Sequence, residues 1–193
     1  MNLPNILSIS RIPMVFLIVT LMVVDTFETK RWALALFILS SLTDWIDGYL
    51  ARKWNQVTDL GKFMDALADK VLTVGLLVAL AILDKMPDWA LFAVLLILTR
   101  EFMVTGLRLV AAGKGRVLPA EGLGKWKTTL QMVAIGLFLL VDVLDGSPTL
   151  SLLQNFGQVV LIAATVLTVV SGLLYFFKQR DLFQEASRSN EEA

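Results

Sequence analysis

Apolar and polar residues fall along this chain in long blocks. Six apolar runs cover residues 12–24, 32–50, 61–83, 89–111, 125–144 and 152–177. None carries the polar stripe that a helix on the surface of a soluble bundle shows to water. A helix of about 20 residues matches the roughly 30 Å hydrocarbon core of a bilayer. The pattern therefore predicts an all-α integral membrane protein with six transmembrane helices. Residues 1–11, with Pro4 early and Arg11 late, are expected to lie at the interface. Residues 12–177 form the transmembrane domain and residues 178–193 a polar tail. The opening residues lack both a basic start and a small-residue cleavage site, so the first helix is expected to remain as a span rather than leave as a signal peptide.

The links between runs carry most of the charge, and its distribution sets an orientation. If six spans alternate, only Lys30, Arg31 and Lys85 of the 17 basic residues fall on the side away from the termini. The positive-inside rule then places both termini in the cytoplasm, as expected for a multi-pass protein of the cell (inner) membrane. Trp32 and Trp89 fall at the outer interface, and Trp54 and Trp126 at the inner one, where aromatic belts form.

Composition narrows the chemistry. The chain is 56% hydrophobic with a mean hydropathy of +0.72, and its 17 basic and 17 acidic residues cancel. A balanced charge with no basic domain gives nucleic acid no footing. There is no cysteine and no histidine. Disulfides, zinc–thiolate sites, cysteine nucleophiles and Ser–His triads are excluded. Acid–base work falls to Asp, Glu, Lys or Tyr.

Four acids interrupt the apolar pattern. Asp44 and Asp47 lie near the end of the second run, Asp65 and Asp69 near the start of the third. Carboxylates at membrane depth are costly and usually functional. At about 100° per residue, Asp47, Gly48, Ala51 and Arg52 share a helical face with Asp44, and Asp65 and Asp69 share one with Gly61. A short polar link makes these helices antiparallel neighbours, so both acidic faces can converge just inside the cytoplasmic boundary and line a polar cavity there. Four bare carboxylates would repel, and divalent cations remove that penalty. All-oxygen ligands favour Mg²⁺, Mn²⁺ or Ca²⁺, and two bridged ions suit phosphoryl transfer. Gly48 and Gly61 leave backbone open to a phosphate, and Arg52 is placed to bind its oxygens. Salt bridges to Arg52, Lys53, Lys62 and Lys70 are the plainer reading of each acid alone. A proton relay or cation transporter would instead put acids mid-span.

Asp44, Asp47, Gly48, Ala51, Arg52, Gly61, Asp65 and Asp69 spell D-x2-D-G-x2-A-R-x8-G-x3-D-x3-D. On this motif the chain resembles the CDP-alcohol phosphotransferases, without departure at any fixed position. The resemblance implies two metal ions, Mg²⁺ or Mn²⁺, held by Asp44, Asp47, Asp65 and Asp69. It makes Asp69 the base that deprotonates the acceptor alcohol. The alkoxide then attacks the β-phosphorus of a CDP-linked substrate and CMP leaves. Asp44, Gly48, Arg52, Thr58 and Gly61 would hold the CDP moiety. Leu3-Pro4-Asn5 resembles the family's opening motif and makes Asn5 a nucleotide contact; Ser8 stands where relatives often have Thr. A homodimer is expected from the resemblance only. Intramembrane prenyltransferases also use Asp pairs with Mg²⁺, but their first motif has Asn before the pair, where this chain has Thr43.

The acceptor must be chosen outside that signature. Thr99–Arg108 (TREFMVTGLR) and Gly124–Gln131 (GKWKTTLQ) are similar to the phosphatidylglycerophosphate synthase branch of the family. Arg100, Arg108, Lys125 and Lys127 are expected to converge on the cytoplasmic side. They suit an acceptor that carries its own phosphate, with Glu101 orienting a cation or a substrate hydroxyl. The expectation is transfer from CDP-diacylglycerol in the bilayer to sn-glycerol 3-phosphate. Inositol phosphate, or phosphatidylglycerol as in a cardiolipin synthase, are the neighbouring choices. Thr105-Gly106 and Ser171-Gly172 read as small-residue packing points.

Overall fold

The computed structural model describes residues 3–53, 59–113, 115, 116, 118, 123–144 and 150–179. They form six α-helices: α1 Leu3–Val24, α2 Phe27–Lys53, α3 Asp59–Ile82, α4 Ala90–Gly113, α5 Leu123–Val143 and α6 Leu150–Lys178. The last five follow the apolar runs closely. α1 begins well before its run, at Leu3, and continues through Arg11 and Pro13 without a break. Pro13 removes one backbone donor, and the helix tolerates that loss.

Local chemistry fixes the helix ends. Thr26 caps α2: its hydroxyl accepts from the Thr29 amide at 3.3 Å, and the Thr26 amide donates to the Thr29 hydroxyl at 2.9 Å. This is the reciprocal exchange of a capping box. α3 stops at Asp84, which takes the left-handed conformation at φ 54° while Lys85 N–H donates back to Leu80 C=O at 3.0 Å. α4 stops the same way at Gly115, φ 70°, with Arg116 N–H donating to Ala111 C=O at 2.9 Å. Both are Schellman closures.

α1 packs on α2 and α3, α5 on α6 and α2, and α4 on α6 and α3. All six helices feed one core, with Ile18 and Met22 from α1, Phe37 from α2, Leu76 and Leu80 from α3, Ile97 from α4, Phe138 from α5 and Leu161 from α6. The outside of the bundle is also apolar. Phe16, Phe92, Phe102 and Leu152 are each at least two-thirds exposed, among many other large apolar side chains. A water-soluble surface does not carry apolar area on that scale, whereas a lipid-facing one requires it. Among the described residues four helical stretches are long and apolar enough to cross a membrane: Ile6–Val24, Ala90–Gly113, Trp126–Val143 and Leu150–Lys178. α2 and α3 are long enough as well.

One end of the bundle is tied by an ionic knot. Lys85, in the turn before α4, donates to Asp25 after α1 and to Asp142 Oδ2 of α5 at 2.7 Å. Lys30 of α2 pairs with Asp142 Oδ1 at 3.2 Å and with Asp25 at 3.6 Å. The Lys85 hydrogen bond holds the Asp25 carboxyl below the ordinary carboxylate range. A cavity of about 360 Å³ opens beside the knot, lined by Asp25, Asp84, Lys85, Asp142 and Gln154 with apolar neighbours.

Candidate active site

The motif acids lie at the other end of the bundle. Asp44 follows Lys30 along α2 by about 21 Å at 1.5 Å per residue. Asp65 and Asp69 occupy the first turns of α3, and α1 packs against both helices. Their meeting point is Arg11. On α1 the buried positions are Ser8, Arg11, Val15, Ile18 and Met22, a stripe of alternating three- and four-residue steps. Its far half is apolar and enters the core. Its near half is polar and enters the site. Arg11 is 1% exposed, yet one terminal nitrogen donates to Asp44 Oδ1 and the other to Asp65 Oδ1 at 2.6 Å. A single planar fork thus joins the acids of α2 to those of α3. Asp69, one turn beyond Asp65, feels the charges of both Asp44 and Asp65.

A second cluster stands beside the first. Glu101 Oε1 of α4 accepts from Lys127 of α5 and from Arg100 Nη1 at 3.1 Å. The other terminal nitrogen of Arg100 reaches Ser171 Oγ of α6 at 3.3 Å, and Arg100 Nε is buried without a hydrogen-bond partner. Gly172 makes this reach possible: a Cβ there would lie 2.5 Å from Arg100 Cγ. Behind the cluster Gln131 donates to Thr168 Oγ1 at 3.1 Å, and Ser171 Oγ donates to Thr168 C=O at 3.0 Å. Lys70, next to Asp69, donates to Thr105. Lys127 links the two clusters, close enough to Asp69 for their charges to attract.

Of the residues expected at the site, Asp44, Asp65 and Asp69 come together, and Arg100 and Lys127 meet at Glu101. Arg108 stands apart, two turns along α4. It is exposed, with its guanidinium 5.7 Å from the Tyr175 ring centre and Nε 3.4 Å from the Tyr175 hydroxyl. Gly61 is half-buried at the start of α3. The side chains of Asn5, Asp47, Gly48, Arg52 and Lys125, and the whole of Thr58, lie outside the described residues. Ser171 and Gly172 are packing positions, as expected, with Arg100 as the group packed. Arg11 was read as an interfacial residue. Its place on the Ser8–Met22 stripe was the signal that it faces inward.

A family model for CDP-alcohol phosphatidyltransferases matches residues 1–170. The chain belongs to that family. It is 42% identical to the CDP-diacylglycerol–glycerol-3-phosphate 3-phosphatidyltransferase of Bacillus subtilis, over 92% of this chain and 94% of the relative. It is 38% identical to the protein of the same name from Rickettsia typhi, over 91% and 95%. A probable phosphatidylglycerophosphate synthase of Mycobacterium tuberculosis is 41% identical, over 90% and 79%. CDP-alcohol phosphatidyltransferases are transferases that generally depend on a divalent metal. Among the described residues no group of three acidic side chains stands in ready ligand geometry. The donor set nonetheless fits such an ion. Asp44, Asp65 and Asp69 offer only oxygen, and Asp44 and Asp65 stay 42% and 52% exposed, open to an ion from outside.

Proposed function

We propose that this protein transfers the phosphatidyl group of CDP-diacylglycerol to sn-glycerol 3-phosphate, giving phosphatidylglycerophosphate and CMP. The observation that carries the chemistry is the adjacency of two clusters of opposite character. Carboxylates at Asp44, Asp65 and Asp69 stand beside cations at Arg100 and Lys127, and Lys127 faces Asp69. A metal-assisted phosphate donor fits the first cluster and an anionic acceptor the second. The names of relatives that match nearly end to end support glycerol 3-phosphate as that acceptor.

In this reading Asp44, Asp47, Asp65 and Asp69 hold two divalent ions, Mg²⁺ or Mn²⁺. When bound they neutralise the diphosphate and ease departure of CMP. Asn5, Gly48, Arg52, Thr58 and Gly61, with Asp44, seat the CDP moiety. Arg100 and Lys127, with Lys125, seat the acceptor's phosphate, while Arg108, expected to join them, stands two turns away against Tyr175. Asp69 takes the proton of the acceptor's terminal hydroxyl. That oxygen bonds to the β-phosphorus, the bond from that phosphorus to the bridging oxygen breaks, and CMP carries the oxygen away. Six helices span the inner membrane, and residues 3–11, expected at the interface, are instead the inward-facing start of α1. The tail expected over residues 178–193 lies outside the described residues beyond Gln179. A polar cavity opens to the cytoplasm with both termini, and the chain pairs as a homodimer. Lipid tails then reach the site sideways while the soluble acceptor arrives from water.

The test is an acceptor panel with the purified protein, CDP-diacylglycerol and Mg²⁺ or Mn²⁺. CMP release with glycerol 3-phosphate, stopped by chelator and restored by metal, is expected. Release with inositol phosphate or phosphatidylglycerol but none with glycerol 3-phosphate would reassign the acceptor.

A further inference from the structure

The acids of α2 and α3 already have a cation. Arg11 enters from beneath, 1% exposed, while Asp44 and Asp65 open outward at 42% and 52%. Its charge is permanent, since guanidinium does not deprotonate in proteins. Buried as it is, it cannot be left unpaired without a heavy penalty. It therefore holds one oxygen of each carboxylate for as long as nothing else claims them. Asp44 and Asp65 are two of the acids given to metal under the proposed function, and the inference rests on that reading. An incoming divalent ion meets both the occupied oxygens and the repulsion of a fixed positive charge.

We propose that Arg11 is a positioning residue acting as an internal counter-cation. It holds Asp44 and Asp65 together while no metal is bound, competes with the metal for them, and is displaced from at least one as metal enters. Arg11 thus keeps the helix junction folded when empty and sets a ceiling on metal affinity. A plain structural salt bridge would hold the helices equally in both states and leave metal binding alone.

The two roles separate in measurements that need no turnover. Mn²⁺ binding is followed by electron paramagnetic resonance on the full chain in detergent, and thermal unfolding is recorded with and without Mn²⁺. The variants are Arg11→Met, Arg11→Lys and, as the site control, Asp44→Asn. Loss of a charge-assisted hydrogen bond at the ligands is expected to tighten Mn²⁺ binding by about tenfold or more in Arg11→Met. Lys keeps the charge but not the fork, so Arg11→Lys falls between. Metal-free Arg11→Met melts below the parent, and saturating Mn²⁺ narrows the gap by linkage. Unchanged or weaker Mn²⁺ binding in both Arg11 variants, or an equal melting gap with and without Mn²⁺, overturns the proposal. Should Arg11→Met not fold, Arg11→Lys decides alone: tighter binding supports it, unchanged or weaker binding does not. A parent that does not bind Mn²⁺, or an Asp44→Asn variant that binds as well as the parent, removes the metal reading itself.

Discussion

Gly172→Ala tests the close passage of Arg100 across α6. The added Cβ would sit 2.5 Å from Arg100 Cγ. Ordinary carbon contacts lie near 3.5–4.0 Å, so the shortfall is about 1 Å. Cγ is near the backbone of Arg100, so the side chain cannot swing its far end aside and keep its contacts. Either α4 and α6 separate or Arg100 leaves Ser171 and Glu101, 3.3 Å and 3.1 Å away. Overpacking costs about 1–3 kcal/mol, and a weakened hydrogen bond to a charged group adds up to about 1.5–3 kcal/mol. Removing a helical glycine returns about 0.5–1 kcal/mol. The net loss is about 2–4 kcal/mol, or about 4–16 °C in melting temperature for a chain of this size. Gly106→Ala is the matched control, because no atom lies within 4 Å of its added Cβ; it should melt within a few degrees of the parent. Melting in detergent, read by tryptophan fluorescence, compares the two. The clash is with one side chain, so Gly172→Ala should cost much less in an Arg100→Ala background. Equal melting of the Gly172 and Gly106 variants, or full additivity with Arg100→Ala, would refute the reasoning.

Asp69→Asn should abolish CMP release while leaving CDP binding largely intact, because the amide loses the base but keeps the shape and one oxygen, with three other carboxylates left for metal; retained turnover would move the base elsewhere. The ionic knot makes a pH prediction. A carboxyl whose folded pKa is depressed contributes stability above its unfolded value, near 4, and loses it as pH falls through the folded value. Asp25 is such a group, with the Lys85 hydrogen bond as the leading cause. The melting temperature should therefore drop as pH is lowered through and below about 4, and Lys85→Met should flatten part of that acid limb; an unchanged limb would deny the pairing.

The helices were legible because five apolar runs coincide with helices. The acids were legible because each breaks an apolar run, and the cost of placing them there demands a reason. Arg11 carried the same signal but sits beside Pro13 and near the chain start, where an interfacial segment accounts for both. Only its step of four to Val15 and then three to Ile18 shows that it faces the core. The knot was not legible at all. Asp25, Lys30, Lys85 and Asp142 lie in or beside three different links, and each alone reads as a solvated loop charge. Their pairing spans 57 positions between Lys85 and Asp142 and 60 between Asp25 and Lys85. Arg108 shows the reverse. Its place within an apolar run suggested that it joins Arg100 on the acceptor's phosphate, yet it lies off the stripe Ala90, Ala93, Val94, Ile97, Arg100, Val104, Leu107, Ala111 that α4 turns inward.

Charge balance separates the two ionic ends of the bundle. In the knot two lysines meet two aspartates, and every partner is satisfied within hydrogen-bonding or near-contact distance. Nothing is left to attract a ligand, and its effect is to clamp the links after α1, α3 and α5. At the other end, among the described residues, Asp44 and Asp65 share Arg11 and Asp69 lies within reach of its charge, which leaves negative charge in excess. Beside them Arg100 and Lys127 share Glu101, which leaves positive charge in excess. Lys127 stands close enough to Asp69 for their opposite charges to attract across that divide. A site of this kind is balanced only when a cation joins the first group and an anion the second. Under the proposed function a divalent ion and a phosphate-bearing acceptor would meet both demands, with Asp69 between them as the proposed base.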